Sequence, residues 1–462
     1  MDFDSAFHST RVVTPQGVKD ATIFIKDGKI ARIAEGRLSA ESIRHDTVEE
    51  LGNAVVMPGI IDAHVHINEP GRSDWEGFDT ATRAAAAGGV TTLIEMPLNA
   101  SPVTTTVAAL EQKIVATEGK LHVHCGFYGG LVPQNLGDLP DLMRAGVFGI
   151  KCFLTHSGID EFPHVSAAAL EQAMRIIEPT GLPPLAHAEL DGPHPGVDFF
   201  QKNPTLYRAF LGSRPKDWEN RAIELLLQLC NRTHCRTHIV HLSSADLMGK
   251  LKMAKQRLPL SVETAPHYLY FAAEDLFDEA QEASFAKAAA GKTAFKCAPP
   301  IRERANNDQL WQGLKDGVID FIGSDHSPAP PALKEVESGN LAKAWGGIAG
   351  LQFTLPVVWT RAQALGFQLA DLARWLCSHP ADFLGLSSKG RLAVGNDADI
   401  TVWAPEAVYI LTEKDIHHRH KITPYVGEPL RGQVLQTYVG GEKVFDRGAF
   451  GRLRQGRVLL RD

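Results

Sequence analysis

GIIDAHVH (residues 59–66) opens the stretch that decides the fold: an apolar run too short for a typical helix, closing on polar side chains. Runs of the same kind recur along the chain as VTTLIEM (90–96), LHVHCGF (121–127), FGIKCFL (148–154), PPLAHAEL (183–190), RTHIVHLSS (236–244), PLSVETAPH (259–267) and IDFIGSDHS (319–327). Such runs read as strands buried on both faces, the pattern of a covered parallel sheet. Between them lie segments of helix-forming composition with apolar residues three and four apart. Examples are TATRAAAAGG (80–89), VAALEQKIVATEG (107–119) and RAIELLLQLCNRT (221–233). Eight strand–helix alternations are what a (β/α)8 barrel needs. A doubly wound sheet would carry GxGxxG after its first strand, and no such turn follows residue 66. The fold expected is therefore α/β, with a TIM-like barrel over residues 58–391.

The rhythm changes on either side of the barrel. ATIFIKDGKIARIAEG (21–36) alternates apolar and polar residues around Asp27-Gly28, a dipeptide suited to a two-residue hairpin. GRLAVGNDADITVWAP (390–405) and VLQTYVGGEKVFDRGAF (434–450) alternate in the same way, with Gly-Asn and Gly-Gly as expected turns. Residues 1–57 and 392–462 are accordingly expected to build one small β-sandwich domain from both termini.

Composition narrows the function classes. With 44% hydrophobic and 22% charged residues, the 462-residue chain has the mix of an ordered globular protein. A formal net charge of −7 argues against nucleic acid or an anionic membrane as the main partner. No apolar run approaches the roughly 18 residues of a membrane span. The first residues lack a basic region followed by an apolar block, so no secretory signal is read and a cytoplasmic location is expected. Six cysteines without a CxxC pair suggest reduced thiols, Cys152 and Cys297 being small buried hydrophobes inside strands.

The chemistry gathers at the strand ends. His64 and His66 are two apart on a strand and face the same side. An HxH pair alone would equally suit two structural histidines with backbone partners. The other strand ends weigh against that reading: Lys151, His187, His241 and Asp325 each interrupt or close a buried run. Unpaired polar groups are costly there, and in a barrel the carboxyl ends of the strands converge on one face. Four histidines, an aspartate and a lysine on that face suggest a metal site. Lys151 is the odd member, because a strand-end lysine usually carries its ammonium to water. Placed among imidazoles its pKa should fall, and a neutral amine can take up carbon dioxide to form a carbamate.

These residues carry a resemblance. DAHVHINEPG, GIKCFL, the His187 and His241 strand ends and GSDHSP are similar to segments of the cyclic amidohydrolases of the amidohydrolase superfamily, which include dihydroorotases, dihydropyrimidinases (hydantoinases) and allantoinases. EPGRSDWEGFDTATRAAAAGG, IEMPLNASP, KCFLTHSGIDEFPHV, KCAPPIR, SDHSPAPPALK, AWGGIAGLQ and HRHKITPYVG resemble the allantoinase group in particular. The resemblance implies two divalent metal ions per subunit, one held by His64, His66 and Asp325 and the other by His187 and His241. An N6-carboxylated Lys151 and a hydroxide would bridge them. Zinc is the metal expected first, and cobalt, nickel, manganese or iron suit the same ligands. The implied reaction is hydrolysis of the cyclic amide of allantoin to allantoate, with Asp325 shuttling the proton and His156 stabilising the oxyanion. A homotetramer is implied as well.

Two departures from sister groups bear on substrate. Dihydroorotases carry an arginine where this chain has Asn68, and hydantoinases a tyrosine where it has His156. Asn68, Asn99, His156, Ala298 and Trp345 are the expected substrate contacts. Asn68 as a cap on local backbone, His156 as a plain loop residue, and Ala298 and Trp345 as turn and packing residues are the competing readings. Hydantoinase, dihydropyrimidinase or dihydroorotase activity is the alternative function. A non-catalytic scaffold relative is disfavoured because all six candidate ligands are present.

Overall fold

A computed structural model describes residues 3–38, 48–277, 291–451 and 455–461. Its centre is a ring of eight parallel strands. In chain order they are Ile60–Val65, Val90–Glu95, a third strand split into His124–Phe127 and Gly129–Gly130, then Ile150–Phe153, Pro184–His187, Thr237–Ile239, Leu260–Thr264 and Phe321–Ile322. The first half of the split strand pairs with the second barrel strand and the other half with the fourth. A bridge between Val65 and His326 closes the ring. The first, second and fourth strands are buried at every position, which is why their sequences read as continuous apolar runs.

Helices cover the outside, and their buried faces follow from spacing. In Lys216–Thr233 the buried residues include Ala222, Ile223, Leu226, Leu229, Cys230 and Thr233, a stripe three and four residues apart. Helix starts are capped where the chain supplies a hydroxyl: Thr106 accepts from Ala109 N–H and Ser166 from Ala169 N–H. All six cysteines are free and buried. No helix of the described residues is long and apolar enough to cross a membrane.

The two ends of the chain meet in one nine-stranded sheet. Its path runs Ala449–Phe450, Glu442–Asp446, Pro429–Val439, Ile400–Ile410, Val55–Pro58, Ser5–Thr14, Gly17–Lys26 and Lys29–Glu35, with Val48–Glu50 also lying against Ser5–Thr14. Val55–Pro58 is the seam: it runs parallel to Ser5–Thr14 on one side and antiparallel to Ile400–Ile410 on the other. The first barrel strand begins two residues later, at Ile60. Barrel and sheet touch closely at Gly89, where a Cβ would lie 2.5 Å from Thr401 Cγ2 and φ is +79°.

The Asp27-Gly28 hairpin forms as expected, with both residues at positive φ and Lys26 opposite Lys29. Gly440-Gly441 makes the same kind of turn between Val439 and Glu442. Gly395-Asn396 does not separate two strands, as its sequence suggested. It lies in the loop before Ile400–Ile410, docked on the first hairpin through Gly395 N–H to Ile30 O (2.8 Å) and Ile30 N–H to Asn396 O (2.9 Å). A turn dipeptide specifies a local bend, and tertiary contacts decide what the bend joins.

Candidate active site

The carboxyl ends of the barrel strands surround a cavity of about 330 Å³. His64, His66, Lys151, His187, His241 and Asp325 all line it, together with Asn99, His156, Ala298 and Trp345. The fourth and fifth strands show how the barrel aims these side chains. Phe153 pairs with His187 and Lys151 with Leu185, so the alternation of the strands puts all four on one face. The Phe153 and His187 rings stack, with centroids 4.6 Å apart, and the Lys151 ammonium lies 5.0 Å from the Phe153 ring centre. His241 and Asp325 lie just beyond their strands at φ +39° and +47°. Left-handed backbone is uncommon for such residues, and here it turns both side chains into the cavity.

Hydrogen bonds set the orientation of the rings. His64 Nδ1 bonds Glu263, leaving its Nε2 without a hydrogen-bond partner and 3.3 Å from Asp325 Oδ1. His66 Nε2 stands 3.6 Å from the same oxygen. Together these three buried residues offer ligand atoms all within 4.8 Å of one another. His187 gives Nε2 to Glu189 at 2.8 Å, and its Nδ1 faces His241 Nε2 at 3.0 Å. His241 Nδ1 is buried without a partner. Buried, unsatisfied nitrogens cost about 1–3 kcal/mol each, and the unpaired Nε2 of His64 faces the Asp325 carboxylate. That donor set fits a divalent cation, since nitrogen lone pairs and carboxylate oxygens both turn toward the same space.

The protonation states agree with this reading. Burial holds His66 and His241 well below the ordinary histidine value, and lowers His187 to about 4 against the opposing pull of Glu189. Neutral imidazoles are the ligating form. Burial also brings Lys151 down to about 8, partly offset by Asp325 and Glu263, and raises Asp325 against the pull of His64 and Lys151. For Glu263, burial alone would raise the carboxyl, but His64 and His238 hold it at about 2.

Asn68 stands apart from the other expected substrate residues. Fully buried at φ +67°, it donates to Pro328 O at 3.3 Å and is not among the residues lining the cavity. Asn99 does line it, with its carbonyl accepting from Arg72 at 2.8 Å. His156 sits at the mouth with its side chain 59% exposed, its Nε2 3.5 Å from Asp160 and its Nδ1 accepting from Gly158 N–H. Trp345 forms a wall, its indole edge-on to Trp75 with centroids 4.9 Å apart.

Sequence reasoning passed over the carboxylates behind the rings. Glu263 binds His64 Nδ1, His238 Nε2 (3.2 Å) and His241 N–H (3.3 Å). Glu189 joins His187 to Arg214. The clue to Glu263 was available, a carboxylate inside PLSVETAPH, and it is the same clue that singled out Lys151. Arg214 reaches the site from the long segment between the fifth and sixth strands, where no pattern marked it.

Comparison with known proteins places this geometry. The model of the amidohydrolase family matches residues 55–444. The allantoinase of Streptomyces avermitilis is 43% identical, covering 100% of this chain and 99% of its own. The allantoinase of Arabidopsis thaliana is 41% identical over 95% of this chain and 88% of its own. Among solved structures, the L-hydantoinase (dihydropyrimidinase) of Arthrobacter aurescens superposes with a TM-score of 0.89 at 30% identity, covering 99% of this chain and 100% of its own.

Proposed function

Because the chain belongs to the amidohydrolase family, with allantoinases matching it over nearly their full length, we propose that it is a metal-dependent cyclic amidohydrolase that opens the ring of allantoin to give allantoate. The observation that carries the reading is the convergence of His64, His66, Lys151, His187, His241 and Asp325 on one cavity.

His64, His66 and Asp325 would hold one divalent ion, and His187 and His241 a second. Lys151 would bridge the two after its neutral amine adds carbon dioxide, forming an N–C bond and releasing a proton. Bound ions of this kind supply Lewis acidity, which makes water nucleophilic near neutral pH. Asp325 lies inside the cavity, where burial raises its affinity for protons. It takes the proton of the attacking water and returns it to the departing ring nitrogen. His156, at the mouth, faces the carbonyl oxygen as charge develops. Asn99 and the backbone near Ala298 and Trp345 hold the ring amides. Asn68 acts behind this layer, bracing the turn after His66 against Pro328. We further assign a homotetramer and zinc as the metal expected first.

Two results test the reading. Purified protein offered allantoin, hydantoin, dihydrouracil and dihydroorotate should open allantoin with a kcat/KM at least about a hundredfold above dihydroorotate. Preference for hydantoin or dihydroorotate would overturn the substrate assignment. A chelator should abolish turnover, with divalent metal restoring it. The second result concerns Glu263. Glu263→Gln loses the charge that orients His64, and metal affinity should fall about 10- to 100-fold in a competition titration. An unchanged affinity would show that His64 needs no such support.

A further inference from the structure

Ahead of the loop that carries Trp345, the chain buries a lysine. Lys334 is 3% exposed, and its ammonium donates to two backbone carbonyls, Trp345 O at 3.1 Å and Gly347 O. Burial, with the Lys296 ammonium nearby, pulls it down to about 7. Desolvating an ammonium is unfavourable, and a loop that needed only anchoring could use a neutral donor. The two acceptors are what distinguish this lysine. Trp345, Gly346 and Gly347 line the cavity, whereas Lys334 lies behind them.

A peptide unit is planar and trans, so its C=O and N–H point in opposite directions. With Trp345 O turned back onto Lys334, the Gly346 N–H of the same unit is turned toward the cavity side. The flanking amides are committed elsewhere: Trp345 N–H donates to Leu333 O at 2.7 Å and Gly347 N–H to Lys296 O at 2.8 Å. Lys296 ties the loop a second time, its ammonium donating to Ala344 O at 2.5 Å. At Gly347 φ is +117° and a Cβ would lie 2.6 Å from Ser327, so this path of the backbone depends on glycine.

We propose that Lys334 is a positioning residue, setting the Trp345–Gly346 peptide so that the Gly346 N–H meets a carbonyl oxygen of the cyclic ureide. This rests on the reading of the cavity as a cyclic-ureide site. A ureide presents alternating C=O and N–H groups, so a fixed backbone donor favours one ring orientation. The contact is made alike with bound substrate and with the transition state, and its loss therefore falls on KM rather than kcat.

The experiment compares the metal-loaded wild type with Lys334→Met and Lys334→Gln on allantoin, with bound metal measured in each. Lys334→Met should raise KM by about tenfold or more while kcat stays within about threefold and metal content is unchanged. Lys334→Gln keeps an amide donor and should fall between. A Lys334→Met KM within about twofold of wild type, or a lower kcat at unchanged KM, overturns the proposal. If Lys334→Met does not fold, Lys334→Gln is judged against wild type, and an unchanged KM overturns the proposal. A wild type that opens hydantoin but not allantoin removes the allantoin reading alone, and the KM comparison is then made on hydantoin.

Discussion

Alanine in place of Lys151 is expected to lower kcat/KM for allantoin by at least about 10⁴-fold, because it removes the one side chain able to bridge two ions and with it the means of activating water. Bound divalent metal should fall with it. Lys151 is 1% exposed and lines the cavity with its ammonium over the Phe153 ring. Compared metal-free, where Lys151 is a buried amine, the variant and wild type should have similar thermal midpoints. That separates loss of function from loss of fold. Short carboxylic acids offer the missing pair of oxygens and should return part of both metal and turnover. An alanine variant that keeps full metal content and turnover would end the two-ion reading.

Asp325→Asn should lower kcat by about 10²- to 10⁴-fold, the range in which a positioned acid–base group contributes. Asparagine keeps an oxygen near His64 and His66, so more metal should remain than in the Lys151 variant. The pH dependence carries the sign. Asp325 must be deprotonated to accept, so wild-type kcat should fall at the acid end of the profile as its carboxylate takes up a proton. The asparagine variant should lose this acid limb along with its rate. An unchanged kcat would assign the proton transfer to another group.

The strands were legible because a buried parallel strand is apolar at every position, as VTTLIEM shows, and because a polar residue there is expensive enough to need a reason. His187, His241 and Asp325 were found by that logic, and all line the cavity. What remained hidden depends on long-range placement. Asn68 was expected against substrate, but its left-handed backbone turns the amide onto Pro328. No local pattern announces such a turn. Arg214, Lys296 and Lys334 are ordinary cations in sequence, and their meaning comes only from the carboxylate or carbonyls that folding brings beside them. Gly395-Asn396 was read as a hairpin because the contact with Ile30 that redirects it lies far away in the chain.

The seam between Val55–Pro58 and Ile400–Ile410 also sets a timetable during synthesis. The earlier strand leaves the ribosome some 340 residues before its partner, and at about 5–20 residues per second that interval is on the order of half a minute. Throughout it, the amino-terminal hairpins and the first barrel strand exist while one edge of Val55–Pro58 stays open, the sort of edge that recruits other chains. A ribosome stalled after the barrel but before residue 400 would therefore hold a nascent chain with its catalytic half written and its sheet unsealed.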